Sequence, residues 1–143
     1  TTKIPIKKSS DENVIFLLDT GFNCETEPMV SLFMDKMRNK EFSQIFNKKF
    51  IVYSNKCIEN FLNGEINLFF INLKKLSSIT FKYFKPMIPK KLHELWYEGI
   101  KTNDFYFKLC GSGGGGYILG FSKDFDKTKR LMKNNPIEVV SHF

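Results

Sequence analysis

Residues 105–121 read Phe105-Tyr106-Phe107-Lys108-Leu109-Cys110-Gly111-Ser112-Gly113-Gly114-Gly115-Gly116-Tyr117-Ile118-Leu119-Gly120-Phe121. Two β-prone runs, rich in aromatic and branched side chains, flank six residues that are nearly all glycine. Apolar strands this close in sequence should pair across the glycines. A tight hairpin needs only about two to five loop residues. Six, nearly all Gly, suggest the close approach of something that a Cβ would obstruct.

Three functional readings of the segment compete with a plain turn. A flexible Gly/Ser linker normally separates polar domain edges, whereas both flanks here are apolar strands. A nucleotide P-loop needs Gly-Lys-Ser or Gly-Lys-Thr at its end, and Tyr117-Ile118 stands there instead. The third is a phosphate cradle of another kind, in which glycines let backbone N–H groups approach an anion.

Outward from the hairpin, Ser122 and Asp124 are placed to cap a helix to about Lys133, Asn134-Asn135-Pro136 breaks it, and Ile137 to Val140 forms a last strand. Upstream, Val14 to Leu18 is a buried strand closed by Asp19-Thr20-Gly21. Thr26 caps a helix carrying Met29, Phe33 and Met37 on one stripe, read as core. Glu41 to Asn63 is a second helical stretch with a kink near Asn47 and a glycine C-cap at Asn63-Gly64. Asn67 to Phe84 is a third, and Pro89 opens a fourth with Leu92, Leu95, Trp96 and Ile100 at helical spacing and Gly99 near its end. Strand, several helices, two strands, helix, strand is a split βαβ order with an enlarged first crossover. The expected fold class is α+β, a ferredoxin-like sandwich with a four-stranded antiparallel sheet covered on one face, in a single domain over residues 1–143.

The 143 residues carry 22 Lys+Arg against 15 Asp+Glu, a formal charge of +7, and 42% are hydrophobic, including 16 Phe. That is enough apolar material for a packed core and argues against disorder. The sequence has no Ala and abounds in Lys, Asn, Ile and Phe, a pattern of coding bias; Arg occurs only at Arg38 and Arg130. Base-reading surfaces rely on bidentate Arg, so the lysines read as solvated surface and no nucleic-acid partner is expected. A ferredoxin-like RNA binder is disfavoured too, because Phe105 to Cys110 lacks the Lys/Arg-Gly-Phe/Tyr-Gly pattern. Cys24, Cys57 and Cys110 are an odd set without C-x-x-C spacing, which predicts free thiols in a reducing, cytoplasmic setting. The longest apolar runs, Val14 to Leu18 and Leu68 to Ile71, fall far short of the ~20 residues of a membrane span.

Other motifs read structurally. Asp19-Thr20-Gly21 after an apolar strand matches the catalytic loop of aspartic proteases, but the helical middle of the chain and Phe22-Asn23 after the motif oppose that reading. Asp124 and Asp126 suit a helix's first turn. His93 and His142 have no Cys or carboxylate at metal spacing, so no metal site is expected.

Phe107 to Tyr117 resembles the third motif of the GHMP kinases, the superfamily of galactokinase, homoserine kinase, mevalonate kinase and phosphomevalonate kinase. That motif reads Lys-Leu-Thr/Cys-Gly-Ala/Ser-Gly-Gly-Gly-Gly between two strands. Leu18-Asp19-Thr20-Gly21 with Thr26 and Met29-Val30 is similar to the mevalonate kinase run of apolar strand, Asp/Asn-Thr-Gly and a later helix-opening Thr, although Phe22-Asn23-Cys24-Glu25 lacks the basic residue often found there. The resemblance spans Asn13 to Val140. It implies the C-terminal domain of an ATP-dependent kinase acting on an alcohol group of a small molecule. Gly111, Ser112, Gly113 and Gly114 would line the nucleotide and phosphate site, and Thr20, Gly21 and Thr26 would belong to the acceptor pocket. ATP and Mg2+ would be shared with an N-terminal kinase domain that carries the Pro-x-x-x-Gly-Leu-Gly-Ser-Ser loop and the catalytic Asp and Lys. Nothing here matches that loop, so the implied partner is that domain, with room for a homodimer, and this chain alone should be inactive. The non-enzyme alternative is a standalone ligand-binding or interaction domain derived from the same family.

Overall fold

The computed structural model describes residues 13–21, 26–111 and 115–143, without the side chains of Thr26 and Glu27. It is an α+β fold. Four strands, β1 (Val14–Asp19), β2 (Phe105–Leu109), β3 (Tyr117–Ser122) and β4 (Ile137–His142), form one sheet in the order β2-β3-β1-β4, every neighbouring pair antiparallel. Among the described residues six α-helices accompany them: α1 (Thr26–Met37), α2 (Lys40–Ile45), α3 (Ile51–Leu62), α4 (Ile66–Tyr83), α5 (His93–Thr102) and α6 (Phe125–Leu131).

The hairpin expected from residues 105–121 is present: β2 pairs with β3 from Phe105↔Ser122 to Leu109↔Ile118. β3 also pairs with β1 from Val14↔Ser122 to Asp19↔Tyr117. β4 completes the sheet beyond β1, with a bulge between Ile15 and Phe16.

Side chains alternate across a strand, and here both alternating sets are used. Phe16, Leu18, Phe105, Phe107 and Ile118 point to one face and pack with Ile88, Leu92, Trp96 and Met132. Ile15, Tyr106, Leu119 and Phe121 point to the other and pack with Cys57, Phe69, Phe70, Leu73 and Leu76 of α3 and α4. The expectation of a sheet covered on one face is therefore corrected. The reason lies in the aromatic run 105–107, which is apolar on both parities and must be buried on both sides.

Local readings are sharpened and one changes. Gly99 lies near the end of α5, as expected; the helix runs on to Thr102 and closes on Asn103 in the left-handed region at φ 62°. Gly99 is also a contact point, where a Cβ would lie 2.5 Å from the Phe105 carbonyl oxygen. Ser122 is no cap: it is the last residue of β3, buried, with its hydroxyl 2.7 Å from that of Thr128. Asp124 alone caps α6, accepting from the Lys127 amide at 3.2 Å. The kink near Asn47 is a π-helical turn, Phe46–Phe50, between α2 and α3. Gly64 ends α3 at φ 73°, as a C-terminal glycine should.

Gly120 faces Phe16 on β1, and a Cβ at Gly120 would collide with the Phe16 ring. Gly120→Ala is expected to lower stability by about 1–3 kcal/mol, the usual range for overpacking a core. Urea unfolding checks this, and an unchanged midpoint would show that the ring does not rest on the glycine.

Candidate functional site

The antiparallel registers gather several chain segments at one end of the sheet. Asp19 lies opposite Tyr117, and Leu109 opposite Ile118, so β1 ends where the glycine segment begins and finishes. Thr20 is fully buried; both its amide (2.9 Å) and its Oγ1 (2.8 Å) donate to the Gly116 carbonyl. The Asp19 amide donates to the Pro136 carbonyl at 2.9 Å, drawing in the start of β4. The Asp19 carboxylate accepts from the Gly21 amide at 2.8 Å, the Asx-type turn of a short acidic side chain.

Gly21 turns at φ 73°, and Lys91 Nζ lies 3.5 Å from where a Cβ would stand. Gly111 and Gly116 take φ 57° and 69° with open space around them. Both are left-handed conformations that glycine adopts freely.

Of the residues assigned to the phosphate site, Gly111 thus stands at the exposed start of the loop. Ser112, Gly113 and Gly114 lie outside the described residues, as does Cys24. Of the acceptor-pocket residues, Thr20 and Gly21 sit at the same end of the sheet, bonded to the far end of the loop. Thr26 is the first residue of α1, and its side chain is not described. Thr20 and Gly21 are thereby brought together with Gly111 and Gly116.

Beside this end lies a cavity of about 430 Å³ whose described lining includes Phe33, Phe46, Phe50, Phe84, Met87 and Lys108, and which reaches Gly111. Met29 and Val30 from α1 also line it. The Met29/Phe33 stripe read from sequence as core is therefore partly a cavity wall. The missed signal is the cluster of rings at Phe46, Phe50 and Phe84, with centroids 4.9–6.1 Å apart. Those rings are brought together by the π turn and the end of α4, which helical spacing does not foretell.

Lys108 is half-buried, and its Nζ donates to the Leu109 carbonyl at a long 3.4 Å. Its ammonium also acts on Cys57. Burial pushes that thiol from 9.0 up to about 12, and Lys108 offsets part of the rise. Burial likewise raises the Tyr106 phenol from 10.0 to about 12, with Asp104 adding to the shift. Cys57 and Cys110 are both free thiols, the first buried and the second exposed.

His93 is occupied structurally, with Nε2 2.9 Å from the Ile88 carbonyl and 3.2 Å from that of Lys85. Among the described residues no group of three or more His, Cys, Asp or Glu could hold a metal ion, and no helix is long and apolar enough to cross a membrane. No protein-family model matches the sequence, and no curated protein matches it significantly.

The raised thiol and phenol give a pH dependence with a fixed sign. Because the unfolded chain releases these protons first, their contribution is complete below about pH 9 and is lost as pH rises towards 12. Urea midpoints measured across that window should fall less steeply in Cys57→Ala than in the parent chain. In a Cys24→Ser background, iodoacetamide at pH 8 should label Cys110 and spare Cys57 until urea unfolds the chain. Equal labelling of both thiols in the folded chain would contradict the buried position of Cys57.

Proposed function

We propose that this chain is the C-terminal half of an ATP-dependent, GHMP-type kinase that phosphorylates an alcohol group of a small molecule. In this reading the sheet is a ferredoxin-like split βαβ sandwich with an enlarged first crossover. The single observation that carries the proposal is the placement of the glycine segment. It joins paired β2 and β3, its last carbonyl is held by buried Thr20, and its first residue borders a cavity. Such a loop can offer backbone N–H groups to phosphate without side chains in the way.

Phosphoryl transfer asks a protein mainly for positioning and electrostatic stabilisation. The acceptor oxygen bonds to the terminal phosphorus as the bond to ADP breaks, and the hydroxyl proton must be removed. Gly111, Ser112, Gly113 and Gly114 are assigned to the phosphates. Thr20, Gly21 and Thr26 are assigned to the acceptor side, where the resemblance puts them. The proton acceptor and the Mg2+ ligands are assigned to an N-terminal kinase domain, where the resemblance puts them. The second reading, a standalone ligand-binding domain derived from the same family, is favoured by the cavity itself, which is lined by apolar side chains and Lys108.

The coding sequence upstream of Thr1 is expected to carry the Gly-Leu-Gly-Ser-Ser loop, and the complete product to phosphorylate a small alcohol from ATP. The 143-residue chain alone is expected to show no turnover. In the complete enzyme, Gly113→Val should lower kcat/KM by several-fold to a hundredfold, about 1–3 kcal/mol of transition-state stabilisation, with little change in the melt. Unchanged kinetics would reduce the glycines to a permissive turn. A melt that collapses in proportion to activity would make Gly113 structural.

A further inference from the structure

We infer that the cavity between α1, the π turn, the end of α4 and β2 binds a single-headed anionic amphiphile: an apolar chain or ring body bearing one carboxylate or phosphate. The inference does not rest on the kinase reading, because it uses only the walls of the cavity.

Its volume, about 430 Å³, is that of a small-molecule site. The body of the ligand would meet Phe33, Phe46, Phe50, Phe84 and Met87. Rings stacked this closely make a firm apolar wall, and a methionine adapts to irregular shapes. Polar groups on the described lining are few. The Thr80 hydroxyl is committed to the Leu76 carbonyl at 2.8 Å. Lys108 supplies the one charged side chain among the described lining residues.

No carboxylate lies within ion-pair distance of Lys108 among the described residues, where the ion pairs are Arg38–Asp35, Lys127–Asp124 and Lys129–Asp126. A half-buried ammonium with one long hydrogen bond, at the edge of an apolar chamber, keeps N–H donors to offer an anion. One anionic head would pair it while the body fills the chamber, which defines the ligand as apolar with a single negative group. Val30, on the lining and 46% exposed, stands at the solvent side of the cavity.

The probe is dansylaminoundecanoate, titrated by fluorescence against the 143-residue chain without ATP, so that this result and the kinase assay fail independently. Saturable one-to-one binding is expected, with displacement by dodecanoate or dodecyl phosphate. A preference between the two tells whether a fatty acid or an alkyl phosphate is the better match. Lys108→Met should weaken both acids by about tenfold, the usual cost of losing a charged hydrogen bond, and leave dodecanol binding unchanged. Lys108→Arg should retain the preference for acids. Val30→Trp should block the probe while the melt shows a folded chain. Absence of saturable binding overturns the inference. So does a Val30→Trp chain that binds like the parent, or a Lys108→Met change that affects acid and alcohol alike.

Discussion

The Phe16 ring occupies the space that a side chain at position 120 would fill, and Gly120 is the residue that permits it. This contact fixes the register of the two inner strands. A one-residue slip between β1 and β3 would set Phe16 against a residue with a Cβ and turn every side chain of the strand to the wrong face. The same register that seats Phe16 on Gly120 brings Asp19 opposite Tyr117, and so Thr20 to the Gly116 carbonyl. The shape of the loop-bearing end is thus inherited from packing in the middle of the sheet. Phe16 also meets Phe107 edge-on at 6.3 Å and Phe125 at 6.0 Å, tying β2 and α6 to the same point.

Three clusters of buried side chains share the work of stabilising this arrangement. One lies between the sheet and the α5/α6 side, where Trp96 is buried and its indole N–H donates to the Ser77 carbonyl of α4 at 3.0 Å. A second lies between the sheet and α3/α4, with Phe143 among its rings. The third, around Phe42, Phe84 and Met87, holds α1 and α2 against the end of α4. The cavity of about 430 Å³ lies in this last cluster and borders Gly111. Placing this cluster beside the glycine segment sets an apolar chamber next to an exposed backbone.

Much of this was legible in the sequence. The β2–β3 pairing followed from two apolar runs facing each other across glycines, and the kink near Asn47 coincides with the π turn. Helical spacing located Phe69, Leu73 and Leu76 correctly on the buried side of α4. The readings that failed or stopped short share a cause, which is that local signals were interpreted without their tertiary neighbours. Gly99 does lie near the helix end, yet what requires a glycine there is the Phe105 backbone. Ser122 looked like a cap, yet the strand pairing extends through it. Lys108 looked like one more surface lysine, and only the three-dimensional register sets it, half-buried, on the cavity wall.

In the proposed kinase the glycine-bearing end of the sheet offers backbone N–H groups to phosphate. Amide NMR of the chain titrated with inorganic tripolyphosphate should then show saturable shifts concentrated at Gly111, Gly115 and Gly116. Shifts scattered over the lysine-bearing helices, with these glycine amides unmoved, would overturn the proposal.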